Sequence, residues 1–263
     1  MKHECAVVDP AAELGDNVEI GPFAVIEAHA VVGDGCRIGP GAVVHSHARL
    51  GPRTHLHAGA IVGGAPQDLA FDLDAVSYVE VGADCHIREG VTIHRGTKPE
   101  TVTRLGDRCF LMANSHVAHN CQLGNDVIMA NNALLGGYVE VADGAFISGN
   151  AVVHQFCRIG RLAMLSGLSG ASKDVPPFCI LLNMESNLLA GLNVVGMRRA
   201  GLGAEERKAV KKVYQILFRQ NLNIKQALEQ VREEFSEGPA AELWKFVEAS
   251  KRGVCAARQD LSS

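Results

Sequence analysis

Eleven histidines stand in this chain of 263 residues, and a few lie at spacings suited to chemistry. The segment Asn114-Ser-His116-Val-Ala-His119-Asn-Cys121 sets two imidazoles three residues apart. An imidazole is the side chain whose free base is available near neutral pH. Gly137 follows His119 by eighteen residues, a separation that becomes important once the repeat of this chain is known. A free imidazole can take the proton of an attacking hydroxyl, and a backbone N–H can donate to a developing oxyanion. His45, His47, His55 and His57 alternate like a metal cluster, but they fall at solvent-facing positions of the repeat, so no metal is expected. Of the eight cysteines (Cys5, Cys36, Cys85, Cys109, Cys121, Cys157, Cys179 and Cys255), none forms a Cys-x-x-Cys pair. Neither a thiolate metal site nor a disulfide framework is expected from them.

The elements that must position these residues follow a period of six. Aliphatic residues recur at Val8, Leu14, Ile20, Ile26, Val32, Ile38, Val44, Leu50, Leu56 and Val62, resume at Val81, Ile87 and Ile93, and run again from Leu105 to Leu165. Four residues after most of them stands a small residue, among them Cys36, Cys85, Cys109, Cys121 and Cys157. A helix repeats its apolar face at about 3.6 residues and a half-buried strand at about 2. A period of six instead predicts an all-β solenoid in which each hexad supplies one short strand and one turn. Three hexads make an eighteen-residue coil, and coils stack at roughly the 4.8 Å spacing of paired strands. His119, two residues past inward Val117, then points outward, and Gly137 stacks one coil above it. The small cysteines become buried core residues.

Two insertions, 64–78 and 98–104, interrupt the repeat without ending it and read as projecting loops. The repeat stops near Pro176-Pro177, and beyond Gly191 the period turns helical, with Val210, Val213, Tyr214, Leu217 and Phe218 on one face. Two domains are expected: a solenoid over 1–190 and a small α-helical domain over 191–263, with further amphipathic stretches near 223–235 and 239–251. Composition sets limits on function. The chain is 47% hydrophobic but 5% aromatic, and its formal charge is −4, which argues against a nucleic-acid binder. There is no secretory h-region and no apolar run of about 18 residues, so a cytoplasmic protein without a membrane span is expected. The last 73 residues carry 13 basic against 9 acidic groups, a suitable balance for an acidic partner.

Beyond the hexads, Ile93-His94-Arg95-Gly96-Thr97, the His116/His119 segment, Val153-His154-Gln155-Phe156, Asp174-Val-Pro-Pro177 and Gly191-Leu-Asn193-Val-Val-Gly196-Met-Arg198-Arg199 are informative together. The chain resembles the hexapeptide-repeat acyltransferases, and among them the branch that acylates UDP-N-acetylglucosamine at the start of lipid A synthesis. The resemblance implies a left-handed parallel β-helix assembled as a homotrimer, with active sites between subunits. It implies acyl carrier protein and a nucleotide sugar as partners, and no cofactor, because the acyl-phosphopantetheine arrives as substrate. The family's base and oxyanion donor fall on His119 and Gly137. Its substrate-holding positions fall on His116, His154 and Gln155, its sugar contacts on Gln67 and Asp68, and its nucleotide or pantetheine contacts on Asn193 and Arg199. Gly167 matches a residue that limits acyl-chain length.

The chain departs from the family's usual residues in several places. Asn120 stands where Asp is usual, Ala70 where Lys is common, Tyr138 for a frequent His, Val195 for a frequent Glu, and Leu182–Glu185 differs from the usual run. Three alternatives stay open: transfer to a different nucleotide sugar or amino sugar, a non-catalytic solenoid binding module, and a zinc solenoid with histidines at facing subunit edges.

Overall fold

A computed structural model describes residues 1–182, 187–220 and 222–257; the departures at Asn183–Glu185 lie outside them. Each hexad contributes a strand of mostly two residues and a four-residue corner. Three strands turn the chain once round a triangular prism, and along the solenoid each strand up to Met164–Leu165 pairs in parallel with its neighbours on the same face. Face one has nine strands, from Val7–Val8 to Gly170–Ala171; face two has eight, from Glu13–Leu14 to Arg158–Ile159. Face three has eleven and begins at Glu19–Ile20. The register on face one sets His116 beside Leu134 and Val117 beside Leu135, as the eighteen-residue coil requires.

The corners close because one residue in most of them adopts the left-handed conformation. Asn114, Asn120, Asn132 and Asn150 hold φ between 57° and 61°, which asparagine tolerates better than most residues. Tyr138 and Phe156 adopt it too, at 59° and 65°, and there the backbone cost is offset by ring stacking at 5.0 Å. Inside the prism, the hexad aliphatics and small residues form one continuous core. All five small-position cysteines are fully buried. Burial pushes the Cys121 thiol up to about 12 and the Cys157 thiol up to about 11, so these are packing residues and poor nucleophiles.

The first insertion differs from the expected 64–78 by one residue at each end, and the second begins and ends three residues before the expected 98–104. Residues 65–77 leave the prism between strands Ile61–Gly64 and Tyr78–Val81, and 95–101 leave between Thr92–His94 and Val102–Leu105. The second loop therefore closes earlier than the 98–104 expected. Thr103 is fully buried and inward-facing; a polar residue in an inward position hid the resumption of the repeat.

Among the described residues four helices follow: α1 (Val194–Arg199), α2 (Ala204–Arg219), α3 (Ile224–Glu234) and α4 (Gly238–Glu248). The expected boundary at 190/191 falls inside strand Leu188–Leu192, which pairs antiparallel with Cys179–Leu181 on face three. Strand Ala256–Ala257 then returns to the same sheet. Arg161 joins the two units, forming an ion pair with Glu242 at 2.8 Å and packing over Phe178.

Candidate active site

The corner between faces one and two collects most of the expected residues. His119, Gly137 and Gln155 occupy equivalent places in three successive coils, and Asn120, Tyr138 and Phe156 follow each of them. The contact between the first two is close. A Cβ built on Gly137 would lie 2.3 Å from Cε1 and 2.6 Å from Nε2 of His119. Only glycine fits under that imidazole. Among the described residues the Gly137 N–H has no backbone acceptor, so a donor lies unused beside the ring.

The tautomer of His119 follows from its neighbours. Asn120 Oδ1 accepts from the Thr97 backbone N–H at 3.1 Å and from the Thr97 hydroxyl at 3.0 Å. A backbone N–H can only donate, which identifies the Asn120 atom as oxygen. His119 Nδ1, 3.0 Å from the same atom, must therefore donate, leaving Nε2 with a free lone pair. Tyr138 extends the chain: its hydroxyl lies 2.9 Å from Thr97 Oγ1, and its ring meets His119 edge-on at 5.2 Å. Asn120 is itself held by its N–H, which donates to Thr103 Oγ1 at 2.7 Å. Asparagine thus orients the imidazole as a carboxylate would, but contributes no negative charge.

His116 points outward from face one beside this corner, with Nδ1 2.7 Å from Thr92 Oγ1. His94, which sequence reasoning left without a role, stands edge-on to it at 4.7 Å. Burial, with the nearby histidines, pushes His94 down to about 4, and its Nδ1 is buried without a partner. Burial lowers His116 as well. Both rings are neutral hydrogen-bonding groups at neutral pH. In the sequence, His94 was marked by its place in the segment Ile93–Thr97 and directly after inward Ile93, one coil before His116.

The other expected residues are distributed as follows. His154 is exposed one position before Gln155; its Nδ1 lies 3.1 Å from the Gln155 carbonyl oxygen and 3.3 Å from Arg252 Nη2. Gln67 and Asp68 are exposed on the 65–77 loop; Asp68 Oδ1 accepts from the Ala70 N–H in an Asx turn. That loop leaves from Gly64, paired with His94, and is held at its far end by Arg95, which donates to the Ala75 and Leu73 carbonyls. Asn193 is absorbed by the fold: its Oδ1 caps α1 at the Gly196 N–H, and its Nδ2 donates to the Leu162 carbonyl. Arg199 is exposed at the end of α1. Gly167 lies at the corner between faces three and one, not on the His119 edge, because the step between them is not a whole number of coils. A straight run along one edge does not join them; the path crosses face one, where Leu134 and Val152 are exposed in successive coils above His116.

The chain is similar to known proteins over most of its length. Residues 174–255 match the family model described as UDP N-acetylglucosamine O-acyltransferase, domain 2, and 11–46, 29–64 and 103–137 match the bacterial transferase hexapeptide model. The acyl-[acyl-carrier-protein]–UDP-N-acetylglucosamine O-acyltransferase of Alkalilimnicola ehrlichii is 49% identical, covering 95% of this chain and 96% of its own. That of Paraburkholderia phymatum is 44% identical, covering 96% and 98%. Among solved structures, the UDP-N-acetylglucosamine acyltransferase from Campylobacter jejuni superposes with a TM-score of 0.91 at 35% identity, covering 98% of this chain and all of its own. Its counterpart from Bacteroides fragilis gives 0.92 at 36% identity, covering 97% and 99%. The prism is accordingly a left-handed parallel β-helix, and the chain belongs to the acyl-[acyl-carrier-protein]–UDP-N-acetylglucosamine O-acyltransferase family.

Proposed function

We propose that the chain moves a 3-hydroxyacyl group from acyl carrier protein to the 3-hydroxyl of UDP-N-acetylglucosamine, the first step of lipid A synthesis. The observation that carries the reading is the stacking of His119 on Gly137. In this reading the free lone pair of His119 Nε2 and the Gly137 N–H serve one reacting centre. His119 Nε2 takes the proton of the sugar hydroxyl as its oxygen attacks the thioester carbonyl. The carbonyl oxygen gains the charge, and the Gly137 N–H donates to it. Collapse re-forms the carbonyl and expels the pantetheine thiolate, which takes the proton from the imidazolium.

His94 and His116, both neutral, and His154 hold sugar or phosphate oxygens in this scheme, with Gln155 beside them. Gln67 and Asp68 reach the sugar from the loop, Arg199 serves the nucleotide or pantetheine phosphates, and Asn193 acts by capping the helix that carries Arg199. The acyl chain lies across face one over Leu134 and Val152 toward Gly167.

The His119 corner is an outward edge of a convex prism, and a second surface is needed to enclose a substrate there. Leu69 and Leu73 project from the inserted loop and are largely or fully exposed, as an interface would leave them in a single chain. Assembly as a homotrimer, with each site completed by a neighbour, fits both features. Among the described residues no helix is long and apolar enough to cross a membrane; a cytoplasmic location fits the carrier-bound substrate. The test is to incubate the purified protein with 3-hydroxyacyl carrier protein and either UDP-N-acetylglucosamine or its 3-amino counterpart, then weigh the products. An ester on the first acceptor is expected. Acylation of the amino sugar alone would transfer the reading to that substrate, and no product from either would leave a non-catalytic binding module.

A further inference from the structure

His45, His47, His55 and His57 separate in the fold. His45 turns to Glu27, with Nδ1 3.1 Å from Oε1, and His47 stacks on His29 at 5.6 Å. His55 and His57 lie at the edge of face three, remote from the His119 corner, where they meet a residue the alternating spacing did not include. His86 pairs with His55 in the sheet register one coil later, although the 65–77 insertion separates them in sequence. One ring nitrogen from each of His55, His57 and His86 lies within 4.8 Å of the other two. We propose that these three imidazoles form a site for a borderline divalent transition ion of the Zn²⁺ type, which fastens the coil carrying the inserted loop to the coil before it.

Four observations support the assignment. Three imidazoles with an open fourth position suit Zn²⁺ and its neighbours rather than Mg²⁺ or Ca²⁺, which take oxygen ligands. Tetrahedral ligands with Zn–N bonds of about 2.0–2.1 Å lie roughly 3.3 Å apart, and His86, exposed at the surface, can close the remaining gap by rotation. His57 has the polarity of a metal-bound histidine: its Nε2 is buried with no partner, while its Nδ1 faces Glu89 Oε1 at 3.5 Å. A carboxylate on the far nitrogen is the usual support for such a ligand. The nearby cations are also paired, Arg88 with Glu89 at 3.0 Å and Arg37 with Glu19 at 3.3 Å, so little net positive charge opposes a dication.

The test uses the full-length chain, stripped with chelator and titrated with Co²⁺ followed by Zn²⁺. One Co²⁺ per chain is expected, with a visible ligand-field band that Zn²⁺ displaces and a melting temperature that rises with added Zn²⁺. His86→Ala, an exposed change remote from the catalytic corner, should weaken Zn²⁺ binding at least tenfold and abolish the thermal response without altering the metal-free melting temperature. His57→Gln should do the same for binding. The proposal is overturned if Co²⁺ gives no band at millimolar concentration, or if His86→Ala binds Zn²⁺ like the parent. The latter result would place the ion at the His94–His116 cluster.

Discussion

His119 depends on three neighbours that do different jobs. Asn120 fixes which nitrogen carries the proton, Thr97 fixes which way Asn120 points, and Gly137 leaves room for the ring. Replacing the base should therefore cost turnover without costing the fold: His119→Ala is expected to lose about 10²–10⁴ in kcat while keeping its melting temperature and assembly, measured by steady-state transfer and by calorimetry. Gly137→Ala should fall by a similar factor, because the new methyl displaces the imidazole, and combining the two changes should add little beyond either. A loss in the double variant equal to the product of the single losses would show that the two residues act separately. His94 offers a measurement of a different kind. Its folded pKa lies near 4, against an ordinary 6.5, so the unfolded chain binds the extra proton first as pH falls. Stability is unaffected above about 6.5 and declines as pH drops from there toward 4. Melting curves of the parent and His94→Gln should therefore diverge in slope across that window, with the variant flatter; parallel curves would mean that His94 titrates normally.

At the scale of elements, the coil is a device for bringing residues eighteen apart into contact. The stacks His119–Gly137–Gln155 and Asn120–Tyr138–Phe156 arise from it, as does the apolar strip of Leu134 and Val152 on face one. The corners are less uniform. A Cβ on Gly167 would meet only the Gly149 carbonyl, at 3.5 Å, and the residue does not need a left-handed φ. A side chain there extends outward without straining the turn. Gly167→Met should leave the melting temperature within a degree or two of the parent and shift preference toward shorter 3-hydroxyacyl chains, read by competition among acyl carriers of graded length. The far end of the acyl chain lies elsewhere if the two length profiles coincide.

For the whole molecule, the helical unit is bound to the prism by strand pairing as well as by packing. Asp174 accepts from the Arg158 N–H and the Ser250 hydroxyl, and Ala256–Ala257 completes the end of face three. The basic groups that follow α1 are thus held at a fixed position beside the solenoid. They are not equally free: Lys212 pairs with Glu234, and Arg207 donates to the Leu202 carbonyl, while Arg198, Arg199 and Lys211 are exposed. If this surface steers an acidic carrier, Lys211→Glu should raise the apparent KM for acyl carrier protein several-fold and weaken its dependence on salt, with kcat at saturation unchanged. An unaltered salt response would assign these residues to a solvated helix face.

The hexad period, the inward cysteines, the places of both insertions to within a few residues and the helical turn after Gly191 were all determined by the order of residues, because each follows from local spacing. The stacking of Gly137 on His119 was legible for the same reason: eighteen residues is one coil. What the spacing could not reach depended on contacts that the repeat does not encode. Thr103 looked like loop because its inward position is polar, and its role is to hold Asn120. His94 became a buried neutral group through the crowding of other histidines, and Asn193 was taken up by a helix cap and a carbonyl from another coil. His86 met His55 and His57 only because an inserted loop leaves the prism and returns in register; sequence distance says nothing about such a meeting, whereas the sheet hydrogen bonds on either side of the loop require it.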